Sequence, residues 1–574
     1  MSTNNGKKLR SQEWWGQRDY YSFARRAWMR SEGFNADVFQ NKPVIGICNS
    51  WSELNNCNAH LRTVAEAVKR GVWAAGGFPL EFPTISLGEM FMRPTTMLYR
   101  NLMAMDVEEC IRAHPLDGVV LLCGCDKTTP AQLMGAASAD IPSIFVPGGP
   151  MLSGQWKDRR LGSGTDGRKL FDLFRTGRLT EEEWAEIEGG ISRSAGHCTV
   201  MGTASTMTSL AEALGMTLPG CANIPAPDSR RLAIAEVSGR RIVEMVAEDL
   251  RPSHILTRQA LENAITVDMA IGGSTNAVVH LLALAGRLGI DLRLDEFDVI
   301  SRRTPYIANV KPSGEYLMED FYYAGGLPVV MKEILPLLHG DCLTVTGKSI
   351  RENVGGAQCH NRDVIRTMAE PLQAEGGTVV LYGNLAPRGA VVKQTAASPH
   401  LLRHRGKAYV FENFDQMRAE IDRDDLPVDK DTVLVMKSCG PRGAPGFPEW
   451  GHIPMPKVLL NQGITDMVRI SDARMSGTSF GTVVLHVAPE SAVGGPLAVV
   501  RTGDEVELDV PGREIQLHIT GEEMQRRLAA FRPEAPKYDR GYGRLFLEHV
   551  TQADLGCDFD FLRAEASGYK ATSG

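Results

Sequence analysis

The chain has 574 residues and a formal net charge of -7, with 43% hydrophobic and 23% charged residues. That length exceeds one comfortable hydrophobic core, so at least two domains are expected, and the composition is that of an ordinary globular protein with no basic excess to suggest nucleic acid. Residues 1–10 are polar without the apolar core of a signal peptide, and no stretch reaches the roughly 18 apolar residues of a membrane span, which points to the cytoplasm and away from a membrane partner.

After the polar lead, residues 42–50 read as a short strand running into a polar loop that carries Cys57 and His60. Residues 60–75 have helical spacing and stop at Gly76-Gly77, and residues 78–85 form another strand that closes on Ser86-Leu87-Gly88-Glu89. The apolar run 117–122 ends at Cys123-Gly124-Cys125-Asp126-Lys127-Thr128-Thr129-Pro130, a turn that presents a thiol, a carboxylate and an amine side by side. Such a run reads as a buried parallel strand, and open α/β sheets bind ligands where these strands end. With one more strand at 143–146, the first half is expected to be α/β with a mainly parallel sheet.

Residues 155–190 are charged and helical in pattern, an excursion from the sheet. The turn Ser194-Ala195-Gly196-His197-Cys198 then precedes a small-residue helix at 201–214, and Gly272-Gly273-Ser274-Thr275-Asn276 opens an apolar helix whose start suits either an anion or tight packing. From about residue 376 the texture changes to short β-rich segments at 377–381, 433–436, 497–500 and 504–520, the last with a Pro511-Gly512 hairpin turn. This favours a C-terminal β-barrel or sandwich, with expected domains at 1–375 and 376–574.

Two motif matches fail on context. Gly162-Ser163-Gly164-Thr165-Asp166-Gly167 fits the dinucleotide pattern but follows a charged segment instead of a strand. Thr346-Gly347-Lys348-Ser349 has the tail of a phosphate-binding loop, yet Cys342 stands where the earlier glycine is required.

Eleven cysteines, an odd number scattered without a dense framework, argue for reduced thiols, most of them core filler. Cys57, Cys125 and Cys198 differ because each sits in a strand-to-helix turn beside glycine or asparagine. They are too far apart for a zinc knuckle, whereas three thiolates from three loops can hold an iron–sulfur cluster with one iron open. Cys123 points the other way by strand alternation and packs inward.

Glu89 and Asp126 each end an apolar strand, and Glu449 is a lone acid in the loop Gly446-Phe447-Pro448-Glu449-Trp450, so all three are candidate ligands for a hard cation. Lys127 is either a salt-bridge lysine or, if desolvation lowers its pKa, an anionic carbamate ligand formed with carbon dioxide. The block Ser471-Asp472-Ala473-Arg474-Met475-Ser476-Gly477-Thr478-Ser479-Phe480-Gly481-Thr482 packs hydroxyls among glycines, which suits binding of a carboxylate or a base serine. Read alone, it is a turn.

Six stretches in order resemble the dihydroxy-acid and sugar-acid dehydratase family. They are residues 124–130, Cys198 with Met201-Gly202-Thr203-Ala204, residues 272–276, Gly383-Asn384-Leu385-Ala386-Pro387, Pro445-Gly446-Phe447-Pro448-Glu449, and residues 472–477. The resemblance implies an N-terminal α/β domain, a C-terminal β-barrel that closes the site, and a homodimer or homotetramer. It implies Cys57, Cys125 and Cys198 as iron–sulfur ligands, with [2Fe-2S] favoured over [4Fe-4S]. Glu89, Asp126, carbamylated Lys127 and Glu449 would form the Mg2+ shell, with Ser476 the base and Thr478 beside it.

The implied reaction is dehydration of a polyhydroxy carboxylate to its 2-keto-3-deoxy acid. Arg10-Ser11-Gln12-Glu13-Trp14-Trp15, the block Arg93-Pro94-Thr95-Thr96-Met97-Leu98-Tyr99-Arg100 and Ser476-Gly477-Thr478-Ser479 look like the pentonate and hexonate dehydratases, so an aldonate such as arabinonate, xylonate or gluconate is the expected substrate. The alternatives are a dihydroxy-acid dehydratase of branched-chain amino-acid synthesis and a non-catalytic iron–sulfur redox sensor. Cys123 in place of a common glycine and the bulky flanks of Glu449 depart from the family pattern.

Overall fold

The computed structural model describes residues 9–564, so most of the polar lead read at residues 1–10 lies outside the described residues. Four parallel strands frame the first half: β1 (Val44–Asn49), β2 (Phe78–Pro83), β3 (Gly118–Cys123) and β4 (Ser143–Pro147), in the order β2-β1-β3-β4. The expected parallel α/β sheet is present. β1, β3 and β4 are buried along their whole length, as strands covered on both faces must be. Asp117 pins the entry to β3, its carboxylate accepting from the Ser11 N–H at 2.9 Å and the Val44 N–H at 2.7 Å. Because all four strands run the same way, their C-terminal ends open on one edge.

The excursion after β4 is a small hairpin, β5 (Gly154–Trp156) with β6 (Arg159–Leu161), followed by the helices Thr165–Arg175 and Glu181–Ile191. The helix Asn276–Arg287 is buried on all sides. Its opening turn is tied internally, with the Ser274 N–H donating to Thr206 Oγ1 at 3.1 Å, so tight packing accounts for that turn.

The second half is a nearly closed mixed barrel of eight strands: β7 (Thr378–Leu381), β8 (Ala390–Lys393), β9 (Arg403–Phe411), β10 (Val433–Met436), β11 (Arg469–Ser471), β12 (Val483–Leu485), β13 (Glu505–Asp509) and β14 (Glu514–Leu517). The order is β14-β13-β9-β10-β11-β12-β8-β7, with β9 to β12 parallel and the other neighbours antiparallel. Tyr382, just past β7, closes the circuit: its N–H donates to Arg513 O and its carbonyl accepts from the Ile515 N–H, both at 3.0 Å. Val379, Val392, Val435, Ile470, Val506 and Ile515 fill the barrel.

One expected strand is absent. Residues 497–499 belong to a 3-10 turn, Pro496–Val499, with Val500 its extended C-cap, and the turn is opened by a proline that has no N–H to give a ladder. The Thr346-Gly347-Lys348-Ser349 stretch is a capping turn in which Ser349 and Glu352 cap the helix Ile350–Val354.

Beyond the barrel, the helix Gly541–His549 and the segment up to residue 564 return to the first half. Arg287 pairs with buried Asp558 at 2.5 Å, and Arg100 donates to the carbonyls of Gly556 and Cys557 at 2.9 Å each. Met97, Leu98 and Val279 of the first half meet Phe447 of a barrel loop and Phe546 and Phe559 of the returning segment in one apolar seam. Among the described residues no helix is long and apolar enough to cross a membrane.

Candidate active site

The three singled-out thiols converge at the open edge of the parallel sheet. Cys57 lies in the loop after β1 and Cys125 two residues past β3. Cys198 is carried there by a short pairing onto the chain beyond β4, where the Met151 N–H donates to His197 O at 2.8 Å and the His197 N–H to Gly149 O at 3.0 Å. A hydrogen bond to Cys125, with burial and the nearness of Cys198 and Asp126, raises the Cys57 thiol well above its usual range. Burial, with Asp126 and Cys125, pushes Cys198 up to about 12. Each of these two resists ionising beside its neighbours, an arrangement that a bound cation reverses. Cys123 is buried on the other side, its sulfur 3.8 Å from Thr129 Oγ1, and takes no part.

Two imidazoles back this thiol group. His60 donates from Nε2 to Gly148 O at 2.8 Å and leaves Nδ1 without a partner, and burial lowers it to about 4. Burial lowers His197 to about 3. Both are neutral at physiological pH, so neither adds positive charge to the thiols.

Beside the thiols, three carboxylates gather around one amine. Lys127 Nζ lies 2.7 Å from Glu449, 3.2 Å from Glu89 and 3.4 Å from Asp126, and the lysine side chain is 0% exposed. Asp126 and Lys127 come from the β3 turn, Glu89 from the loop after β2 and Glu449 from the barrel domain. Thr95 Oγ1 donates to Glu89 at 2.9 Å, and Thr96 holds the other oxygen of the same carboxylate. Burial pushes the Asp126 carboxyl up to about 6 against the pull of Lys127. Burial would raise Glu449 too, but Lys127 and Arg474 outweigh it and hold that group at about 2.

For Lys127 itself, desolvation favours the neutral amine, and the attraction of Glu449 and Glu89 overcomes it, so the net shift is upward. Of the two readings open for Lys127, the bare amine is thus the salt-bridge lysine: the condition that desolvation lower its pKa is not met while the three carboxylates face it. A carbamate together with a divalent cation would replace the single positive charge of the ammonium without changing the net charge of the cluster. In charge and donor type, these residues are compatible with the Mg2+ shell that the family resemblance implies.

The barrel's hydroxyl-rich turn completes the site. Ser476 Oγ lies 3.0 Å from Thr478 Oγ1, and both line a cavity of about 960 Å³ together with Cys57, Cys198, Arg168 and His452. The carboxylates sit beside this cavity rather than on its wall, Glu89 being the most exposed at 23% and Glu449 the least at 12%. Every site residue expected from sequence is thus drawn into one region, from loops of both halves.

Other participants were not singled out from sequence. Arg474 Nη1 meets Glu449 Oε1 at 2.9 Å, and its Nε donates to Phe447 O at 2.7 Å, fixing the acidic loop. Asn276 Nδ2 donates to Thr203 Oγ1 at 2.8 Å and to both Glu449 Oε1 and Met475 O at 3.1 Å, stitching the halves together. Arg474 lies inside the Ser471–Thr482 block, where a buried arginine beside a glycine-rich turn was an available signal. Arg168 comes from the charged excursion, whose amphipathic pattern gave no hint of the site. No group of three or more His, Cys, Asp or Glu side chains among the described residues is arranged to hold a metal ion as it stands; the Lys127 ammonium occupies the centre of the carboxylates.

Comparison with known proteins gives this geometry a family. The dihydroxy-acid/6-phosphogluconate dehydratase N-terminal family model matches residues 42–353, and the corresponding C-terminal model matches residues 363–557. The chain is 56% identical over 559 residues to a protein named L-arabinonate dehydratase from Rhizobium leguminosarum bv. trifolii (strain WSM2304), covering 97% of this chain and 96% of that one. It is 49% identical over 561 residues to a 6-deoxy-6-sulfo-D-gluconate dehydratase from Pseudomonas putida, with 97% of each chain covered. Identity falls to 41% over 529 residues, 90% of this chain and 94% of the other, for a dihydroxy-acid dehydratase from Caldanaerobacter subterraneus subsp. tengcongensis. With both halves matched and the thiol, acid and serine loops in one place, the chain belongs to the dihydroxy-acid/6-phosphogluconate dehydratase family.

Proposed function

We propose that the protein is a hydro-lyase that converts an aldonate, such as arabinonate, xylonate or gluconate, to its 2-keto-3-deoxy acid. The observation that carries this reading is the pair of hydroxyls, Ser476 and Thr478, facing a cavity flanked by three thiols and a carboxylate–lysine cluster. The sugar-acid branch is supported by the greater likeness to relatives named for L-arabinonate than to those named for dihydroxy acids.

In this reading Ser476, as its alkoxide, takes the C2 proton of the substrate. The electron pair of the broken C–H bond becomes the C2–C3 double bond as the C3–O bond breaks, one water is lost, and the enol tautomerises to the 2-keto acid. Arg474 and Asn276 hold the Glu449 loop in place from the two sides of the seam. When bound, a [2Fe-2S] cluster on Cys57, Cys125 and Cys198 and a Mg2+ on Glu89, Asp126, carbamylated Lys127 and Glu449 supply Lewis acidity to the leaving hydroxyl and to the carboxylate end of the substrate. All eleven cysteines are free thiols, which supports a reducing cytoplasmic setting for a cluster with an open iron.

An anaerobic assay of purified protein against arabinonate, xylonate, gluconate and 2,3-dihydroxyisovalerate, read as 2-keto acid formation, tests the assignment. Turnover of at least one aldonate with little or none of the branched substrate is expected. Turnover of 2,3-dihydroxyisovalerate alone overturns the sugar-acid reading.

A further inference from the structure

We infer that Arg168 is a positioning residue for the proposed base, acting through the Thr478 hydroxyl to prepare Ser476 Oγ for the C2 proton. The inference rests on the reading of Ser476 as base. Arg168 Nη1 donates to Thr478 Oγ1 at 2.7 Å, and Thr478 Oγ1 lies 3.0 Å from Ser476 Oγ. A guanidinium has only donors, and a hydroxyl has one proton and two lone pairs. The arginine therefore takes a lone pair of Thr478 and leaves the threonine proton free for Ser476. The Thr478 N–H also points at Ser476 Oγ, at 3.4 Å. Two donors thus face the serine oxygen, the pattern that stabilises a negative oxygen rather than a neutral hydroxyl.

The rest of the Arg168 helix is built to hold this contact. Thr165 Oγ1 donates to the Thr478 carbonyl at 2.7 Å, so the helix start grips the serine turn from two sides. Gly164, at φ +81°, lies so close that a Cβ there would sit 2.4 Å from Thr478 Oγ1, and only glycine fits both that conformation and that gap. The charge of Arg168 is not spent elsewhere. Asp166 of the same helix is engaged by Lys311 at 2.6 Å and Asp172 by Arg175 at 2.9 Å, and Arg168 makes no ion pair among the described residues. Cys198 and Glu449 are the anionic or potentially anionic groups that face it from other elements, and His452 across the cavity is held neutral by burial and by nearby arginines.

The test uses cluster-loaded, Mg2+-supplied enzyme with L-arabinonate and its C2-deuterated form, comparing wild type with Arg168→Gln, Arg168→Lys and Ser476→Ala. Arg168→Gln is expected to lower kcat about 10²-fold to 10³-fold, to leave KM within about threefold, and to raise the deuterium isotope effect on kcat. Arg168→Lys, which keeps a donor and a charge, is expected to recover at least tenfold of that loss. Visible absorption of the cluster monitors that each variant is loaded. The inference is overturned if Arg168→Gln keeps kcat within threefold while Ser476→Ala is inactive, if the loss falls wholly on KM, or if lysine restores no more than glutamine. An active Ser476→Ala enzyme instead removes serine as the base, and this inference with it.

Discussion

Lys127 and Glu449 are 322 positions apart in the chain and 2.7 Å apart in space. One belongs to a turn at the edge of the parallel sheet, the other to a loop of the barrel domain, and neither makes a site without the other. Removing the amine leaves three partly buried carboxylates facing one another, with Arg474 paired to Glu449 alone. Lys127→Met is expected to lower the stability of the metal-free protein by about 3–5 kcal/mol, as the breaking of a buried pair does, and to abolish turnover. Urea unfolding and the 2-keto acid assay check the two effects; an unchanged unfolding midpoint would show that the cluster of charges contributes nothing to docking.

Substitutions among the cysteines should divide cleanly. Cys57→Ser, Cys125→Ser and Cys198→Ser are each expected to strip the brown visible absorption and the bound iron from protein purified without oxygen, whereas Cys123→Ser keeps both. The ground is position: the first three thiols meet, and Cys123 is buried against Thr129 on the far side. Iron analysis of the four proteins decides it, and loss of iron from the Cys123 variant would contradict the assignment.

Gly477, between the two hydroxyl residues, touches the first half directly: an added Cβ would lie 2.4 Å from the backbone nitrogen of Thr203. Backbone cannot give way as a flexible side chain does. Gly477→Ala should therefore push Ser476 out of line and cost about 10²-fold in kcat, with far-UV circular dichroism and cluster absorption unchanged. Activity within threefold of wild type would mean that the turn tolerates displacement.

A second cross-domain pair gives a pH effect. Asp268 and Lys393 are both buried, and both carboxylate oxygens and the ammonium lack hydrogen-bond partners among the described residues. Burial raises Asp268 from its ordinary 3.8 to about 8 and lowers Lys393 from 10.5 to about 7, each against the attraction of the other. Between about pH 4 and 8 the folded acid holds a proton that the unfolded acid has lost, so its contribution makes stability fall as pH rises; between about pH 7 and 10.5 the unfolded lysine holds the extra proton, so its contribution makes stability rise. Asp268→Asn should flatten the decline between pH 5 and pH 7.5, a change read from urea unfolding at a series of pH values. An identical slope in the variant would remove Asp268 as its source.

Much of this site was legible because its residues lie where a repeating pattern stops. Cys125, Asp126 and Lys127 follow an apolar run, and Glu89 follows another, so strand ends could be read as a sheet edge. Cys57 and Cys198 were separable from eight other thiols only by their loops; an ordered family stretch marks Cys198, and Cys57 joins it only through what the resemblance implies. What stayed hidden depends on contacts between distant positions. Arg168 lies on an amphipathic helix like many surface helices, and its partner is 310 residues further on. The barrel was visible as short strands, but β9 to β12 pair in parallel, and the crossovers that this requires leave no local signature. The short apolar run at 497–500 was read as a strand because periodicity over four residues cannot tell a strand from a tight turn; Pro496 decided it.

The segment that returns from the barrel to the first half, through Arg287 with Asp558 and Arg100 with the carbonyls of Gly556 and Cys557, clasps the molecule on its second side. The chain already crosses once, on its way into β7. Two connections therefore tie the halves, and any motion of one half against the other has to be shared by both. Met90 and Phe91 line the cavity and stand 76% and 67% exposed, on the loop that also carries Glu89. That wall of the cavity can thus change shape by side-chain rotation, on a faster clock than any movement of whole domains.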